Sequence, residues 1–268
     1  MTQLENVLNG VHVGDNVEFM RGLPENCIDL TVTSPPYDDL RSYNGYSFDF
    51  ESVADELFRI TKPGGVVVWV VGDKTDKGSE TLTSFKQALY FKEIGFNVHD
   101  TMIWRKMSPF QHKNRYIADF EYMFILSKGK PKTANLISDR RNKHAGSKVH
   151  GTLRQPDGTF KEPVGKSKGR TIKEFGARTN VWEIPGDKTN KTGHPAVFPE
   201  QLAQDHIVSW SNPGDVLFDC FAGSGTSLKM ALLNDRNYIG VEISEEYVAI
   251  ANQRILDARK TKEEQRND

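Results

Sequence analysis

Two short stretches of this 268-residue chain hold residues whose types and spacing could do chemistry. The first is Ser34-Pro35-Pro36-Tyr37, which closes the β-branched run TVT. Proline locks φ and restricts the residue before it, so the carbonyls of Ser34 and Pro35 point in determined directions. Carbonyl oxygens held in this way can accept hydrogen bonds from the exocyclic amino group of a nucleobase. They draw the nitrogen lone pair out of conjugation with the ring as it attacks an electrophile. Tyr37 supplies a face on which the base can stack, and a base treated so must first be flipped out of its duplex.

The second stretch is DCFAGSGTS, residues 219–227, between a strand-like run and a helix-like one. Gly223 and Gly225 remove Cβ atoms where a ligand must approach the backbone, and they permit a tight turn between strand and helix. Nineteen positions beyond Gly223, at the end of the next strand-like run, stands Glu242, placed to accept hydrogen bonds from both hydroxyls of a ribose. The loop lacks the third glycine of the dinucleotide pattern and the GK[ST] of a P-loop. A nucleoside without a polyphosphate therefore fits better than NAD or ATP, and S-adenosyl-L-methionine is such a ligand.

The elements that must position these residues alternate. CIDLTVT (27–33) and GGVVVWVVGD (64–73) read as buried strands, with a helix over SVADELFRIT between them that puts Val53, Leu57 and Ile60 on one face. SETLTSFKQALYFKEIG reads as a helix closed by Gly95, and VHDTMIWRK and FEYMFILSK as two strands lying side by side. From Ser127 to about Trp182 the periodicity disappears, leaving Leu136, Ile137, Leu153, Phe160, Ile172 and Phe175 as scattered apolar residues. The pattern then resumes as helix FPEQLAQDHIVSW, strand DVLFDCFAG, helix TSLKMALLND, strand NYIGVEI and a last helix capped by Ser244. This is the pattern of an open, mixed and mostly parallel α/β sheet with helices on both faces, interrupted by an insert. The expected parts are 1–127, an inserted region 128–190, and 191–268.

The net charge of -1 conceals an asymmetry. Residues 128–191 carry 16 lysines and arginines against 6 acids, and the remainder 19 against 30. A basic segment of this density attracts a polyanion. Cys27 and Cys220 lack metal-ligand spacing, so no metal site and no disulfide framework is expected, and both read as buried small side chains. No apolar run approaches the roughly 18 residues of a membrane span, and MTQLENVLNGVHVGD lacks the form of a signal peptide. The expectation is a soluble, cytoplasmic protein without a membrane partner.

TSPPY together with DCFAGSGT resembles the amino-group DNA methyltransferases, which make N4-methylcytosine or N6-methyladenine. The order of tetrapeptide, basic insert and cofactor loop is that of their β group. The resemblance covers nearly the whole chain and implies a Rossmann-like S-adenosylmethionine-dependent methyltransferase fold with an inserted target-recognition region. It implies Ser34, Pro35, Pro36 and Tyr37 as catalytic residues and Asp219, Phe221, Ala222, Gly223, Ser224, Gly225, Thr226 and Glu242 as cofactor-binding. VHVGD is similar to the segment whose acid, here Asp15, lies near the cofactor adenine. GHPAVFPEQLAQDHI is similar to the segment over its methionine part, with His194, Pro195 and Phe198 at matching positions. The implied reaction is direct methyl transfer. A 5-methylcytosine enzyme would need a cysteine nucleophile, typically after proline, and neither cysteine here follows one.

The serine that opens the tetrapeptide favours cytosine N4, with adenine N6 as the alternative. Methylation of RNA or of a protein glutamine, and a silent DNA-binding subunit, are further alternatives. The basic insert speaks against the first two and the intact motif set against the third. Double-stranded DNA is the expected partner. Arg41, in the loop with Asp38, Asp39 and Tyr43, is a candidate phosphate contact, though a salt bridge with either aspartate would equally account for it. Arg140, Arg141, Lys143 and Lys148 are candidates for backbone contacts, and Arg154 or Arg178 for reading guanine. Trp104 and Arg105 are read as base-pocket lining or core, and Asp73 as ordering the site. A cognate restriction endonuclease and a monomeric or homodimeric state are left open.

Overall fold

A computed structural model describes residues 3–36, 49–107, 113–149, 153–161, 169–186 and 198–267. It divides into a unit made of Met1–Asn135 with Asn180–Asp268 and a second unit, Leu136–Thr179.

The first unit runs β1 (Gly10–Val13), α1 (Asn16–Arg21), β2 (Ile28–Thr33), α2 (Phe50–Ile60), β3 (Thr61–Val71), β4 (Thr75–Asp76), β5 (Ser79–Glu80), α3 (Thr83–Glu93), β6 (Asn97–Arg105) and β7 (Phe120–Ser127). The second unit contains β8 (Arg140–Arg141), β9 (Leu153–Arg154), β10 (Phe160–Lys161) and β11 (Phe175–Gly176). The first then resumes with β12 (Val181–Glu183), α4 (Glu200–Trp210), β13 (Val216–Asp219), α5 (Thr226–Leu233), β14 (Asn237–Glu242) and α6 (Glu245–Asn267).

Eight of these strands form one sheet in the order β1-β14-β13-β2-β3-β7-β6-β12. Only β7 runs against the others, pairing antiparallel with β3 and β6. The continuous apolar run of β3 is buried on both faces, as expected for a strand covered by helices on each side. Val67, Trp69 and Val71 join one core with Met20, Leu57 and Phe91 of α1, α2 and α3. Val66, Val68 and Val70 join the other with Leu202, Leu228 and Ile255 of α4, α5 and α6. Trp69 is fully buried, meets Phe91 edge-on at 5.1 Å, and satisfies its indole by donating to Gln87 Oε1 at 2.9 Å. The α/β class and the helices on both faces are as the pattern implied.

Three local features depart from the sequence reading. Ser79 and Glu80 belong to a hairpin with Thr75 and Asp76 rather than to the helix, because Lys77 and Gly78 both adopt positive φ (45° and 85°) and close a two-residue turn. Helix α3 therefore starts at Thr83. Its first turn is held from outside by Asp73, whose carboxylate accepts from Ser84 N (2.9 Å) and Ser84 Oγ (2.5 Å). The short β1 and α1 were not foreseen, nor was β12, whose Val181, Trp182 and Glu183 pair with Ile103, Trp104 and Arg105. Segment 128–190 thus supplies both a strand of the main sheet and the whole second unit.

In the second unit β8 pairs antiparallel with β11. Backbone bonds from Asn142 N to Glu174 O (2.8 Å), Gly146 N to Ile172 O (2.9 Å) and Val149 N to Arg170 O (2.8 Å) extend this ribbon. A second hairpin joins β9 and β10, closed by Gln155 N to Thr159 O at 2.7 Å. None of the described side chains of this unit is buried. Ordering a backbone costs roughly 1–2 kcal/mol per residue, and a net hydrogen bond returns only about 1 kcal/mol. A ribbon whose described apolar side chains are at most half-buried, as Val149 and Ile172 are, therefore has little to offset its own ordering.

Candidate active site

Parallel strands β2, β13 and β14 end side by side, so Thr33, Asp219 and Glu242 lie along one edge of the sheet. This carboxyl edge is where open α/β sheets bind ligands. Asp219 ties the edge together. Thr33 Oγ1 donates to its Oδ1 at 2.7 Å, Phe221 N donates to the same oxygen at 3.1 Å, and Ser227 Oγ donates to Oδ2. One carboxyl group thus joins the end of β2, the loop after β13 and the first turn of α5. Only 2 % of it is exposed. Burial pushes its pKa up to about 6 even though the three donors pull the other way. The neighbouring Cys220 thiol is also raised by burial, and both cysteines are buried and unbridged.

Glu242 has both oxygens anchored, Oε2 accepting from Gly223 N (2.9 Å) and Oε1 from Ser244 N (3.0 Å). A carboxylate offers about four acceptor sites, so a pair of ribose hydroxyls can still be received in a fixed orientation. Val13, in register with Glu242, and Ile243, which follows it, are exposed aliphatic side chains. A fixed carboxylate beside exposed aliphatic surface is a donor set that fits the ribose and the flat base of a nucleoside. Asp15 caps α1, its Oδ1 accepting from Glu18 N at 2.9 Å.

The glycine loop is more tightly packed than its residue types suggest. Gly223 has φ 49°, a left-handed turn. Gly225 (φ 76°) is required by packing, because a Cβ there would lie 2.8 Å from Ala251 Cβ on α6. Close approach of helix α6 thus gives Gly225 a packing reason of its own, beside the ligand approach read from the sequence. Ser224 and Thr226 are buried, and their hydroxyls face Arg254 of α6. Arg254 Nη1 donates to Ser224 O (2.6 Å), Ser224 Oγ (3.0 Å) and Thr226 Oγ1 (3.1 Å), while Nη2 donates to Glu200 Oε1 at 2.9 Å. Glu200 opens α4 and also pairs with Lys229 at 2.7 Å. Arg254 and Glu200 gave no local signal in the sequence. Thr33 and Ser227 flank the quoted motifs, and their hydroxyls were the available clue.

Among the other candidates, Pro35 is buried and Ser34 and Pro36 are half-buried at the end of β2. Ala222 is buried, Phe221 lies edge-on to Trp69 at 6.4 Å, and Phe198 packs against the core on the α4 side. Tyr37, Asp38, Asp39, Arg41, Tyr43, His194 and Pro195 lie outside the described residues. Trp104 is core, its indole donating to Ile184 O at 2.7 Å, and Arg105 bridges Asp119 and Glu183. Asp73 has its carboxylate on Ser84, so its ordering role falls on α3. In the second unit Arg140, Arg141, Lys143, Lys148 and Arg154 are exposed. Arg178 instead donates to Asp139 Oδ2 through Nε (2.9 Å) and Nη2 (2.5 Å), holding that carboxyl below its usual range.

The N6/N4 methyltransferase family, described as DNA methylase, matches residues 28–253. The chain belongs to that family. It is a site-specific DNA methyltransferase acting on an amino group, with S-adenosyl-L-methionine as its cofactor. It is 63% identical over 237 residues to the orphan methyltransferase M.BamHII of Bacillus amyloliquefaciens, covering 85% of this chain and 88% of that protein. It is 26% identical over 256 residues to the type II methyltransferase M.BglII of Bacillus subtilis, covering 92% and 68%. Among solved structures, a Thermus thermophilus protein complexed with S-adenosyl-L-methionine superimposes with TM-score 0.62 at 26% identity, covering 93% of each chain. The PvuII cytosine-N4-specific DNA methyltransferase superimposes with TM-score 0.65 at 22% identity, over 94% of this chain and 91% of its own, and so shares the fold. No helix among the described residues is long and apolar enough to cross a membrane.

Two outcomes test this geometry. A carboxyl whose folded pKa is raised contributes stability fully present below its unfolded value of 3.8, and that contribution is lost as pH rises through about 6. Stability measured by urea unfolding should therefore shift in favour of Asp219→Asn, relative to wild type, by roughly 2–3 kcal/mol between pH 4 and 6 and stay level above. A difference that does not vary with pH would contradict the buried, raised carboxyl. Arg254→Met frees the Ser224 carbonyl and both hydroxyls, and should weaken S-adenosylhomocysteine binding about tenfold by calorimetric titration. Undiminished affinity would show that the fork does not shape the loop.

Proposed function

We propose that the methyl group is delivered to N4 of a cytosine flipped out of duplex DNA. The observation that carries this reading is the bond from Thr33 to Asp219. It fixes the strand end that leads into Ser34-Pro35-Pro36 beside the loop and the carboxylate suited to a nucleoside. Reaction by direct transfer requires those two sites to adjoin.

The cofactor supplies a methyl group already activated on a sulfonium, so the protein needs no covalent nucleophile. Glu242 holds the ribose hydroxyls, and the backbone of 221–224 together with Val13 and Ile243 surrounds the nucleoside. Asp15 and Phe198, with His194 and Pro195, complete that pocket. The Ser34 and Pro35 carbonyls accept from the cytosine amino group and orient its lone pair, and Tyr37 stacks on the ring. Pro36 keeps the corner rigid. Serine at the first position is the feature that favours cytosine over adenine.

The second unit serves target recognition. Arg140, Arg141, Lys143 and Lys148 lie against phosphates, joined by Arg41 at the pocket. Arg154, exposed on its hairpin, is the base reader of choice, since Arg178 is engaged with Asp139.

Incubation with labelled S-adenosyl-L-methionine and mixed-sequence duplex DNA, followed by nucleoside mass spectrometry, should yield N4-methylcytosine. N6-methyladenine as the labelled product would overturn the assignment of the base. Replacing Arg140, Arg141, Lys143 and Lys148 by glutamine should reduce the slope of log affinity against log salt by up to about 0.9 for each phosphate contact removed. An unchanged slope would reject their role.

A further inference from the structure

Residues Leu136–Thr179 carry 11 lysines and arginines against 4 acids, yet no described side chain among them is buried. What holds the unit is its antiparallel ladder and a few polar ties: Arg178 to Asp139, Arg140 Nε to Ala177 O (3.1 Å) and Asn142 Nδ2 to Lys173 O (2.9 Å). Asp139, Arg140 and Lys173 are exposed and Asn142 and Arg178 half-buried, so water competes for these bonds. Two-stranded ribbons without a third strand or a packed face are marginal in water. Cations outnumber acids here, with Arg140, Arg141, Lys143, Lys148, Arg170 and Lys173 exposed along the same ribbon and Arg141 3.8 Å from Glu174. Large apolar side chains stay in solvent as well, Phe160 at 68 % and Phe175 at 44 % exposure.

Resting on the reading of this protein as a methyltransferase of duplex DNA, we propose that the ribbon formed by 140–149 and 170–178 is ordered by duplex DNA, folding as it binds. Phosphates supply what the unit lacks. They pair with the ribbon's exposed cations, and a groove offers a surface for the exposed ring of Phe175. A two-stranded ribbon has dimensions that the major groove admits. Segments short of apolar burial gain their order at the moment of binding and in exchange wrap a large surface. The main sheet, with a core on each face, keeps its order throughout. Sequence recognition is thereby coupled to the formation of the recognising element, and weakly matched DNA leaves the ribbon unformed.

Hydrogen exchange followed by mass spectrometry on the full chain tests this. In free protein, amides of 140–149 and 170–178 should exchange near the rates of unstructured peptide while those of β3 stay protected. Saturation with duplex DNA should slow the ribbon amides about tenfold or more. Ribbon amides already as protected as β3 without DNA would overturn the proposal, as would ribbon amides that remain fast when anisotropy shows the DNA bound. Equal protection by heparin, a polyanion without grooves, would overturn the choice of duplex DNA as partner. Methyl incorporation into the same DNA separates the two readings. Methylated DNA with an unprotected ribbon defeats only the ordering, whereas a protected ribbon without methyl transfer defeats only the enzymatic assignment.

Discussion

A single buried carboxyl group, Asp219, holds the catalytic edge of this sheet together. Its three donors come from the end of β2, from the loop after β13 and from the first turn of α5. These are the strand that leads into Ser34-Pro35-Pro36, the glycine loop, and the helix behind that loop. A charged carboxylate at this depth is costly, and burial raises its pKa toward 6. Its three donors fix β2, the loop after β13 and α5 relative to one another. Direct transfer between two bound molecules draws on such fixed geometry, since its rate rests on alignment.

Support spreads outward from that point through side-chain bonds and close helix packing. Arg254 fastens the loop from α6 and shares Glu200 with Lys229, so the beginnings of α4 and α5 are joined to the same helix. Gly225 lets α6 come close enough for this to happen. Glu242 takes its orientation from two backbone amides, leaving its remaining acceptor sites directed by the fold rather than by rotamer preference. The second unit stands in contrast, with exposed cations and no described buried side chain. One part of the chain is built on two buried cores, and the other exposes charge and aromatic surface.

Much of this was legible in the residues. The alternation of strand and helix, the two-faced burial of β3 and the two neighbouring strands β6 and β7 follow from periodicities that local sequence carries, while the antiparallel direction of β7 does not. The tetrapeptide and the glycine loop were visible because both are contiguous, and Glu242 because it ends the very next strand. Less legible were short or edge elements. β12 has three residues, and its pairing with β6 depends on a partner almost 80 positions earlier in the chain. Asp15, which resemblance placed near the cofactor, also caps a short helix that the sequence reading missed.

By itself the sequence determined the fold class, the nucleoside-sized ligand and the residue types of the proline corner at the end of β2. Each of these is written in neighbouring residues whose φ preferences and apolar spacing act locally. Only the tertiary structure decided that Thr33 reaches Asp219 across 186 positions, that Gly225 packs against Ala251, and that Arg178 is bound to Asp139. Hydrogen bonds and steric contacts of that range depend on strand order and helix packing. No local pattern encodes them.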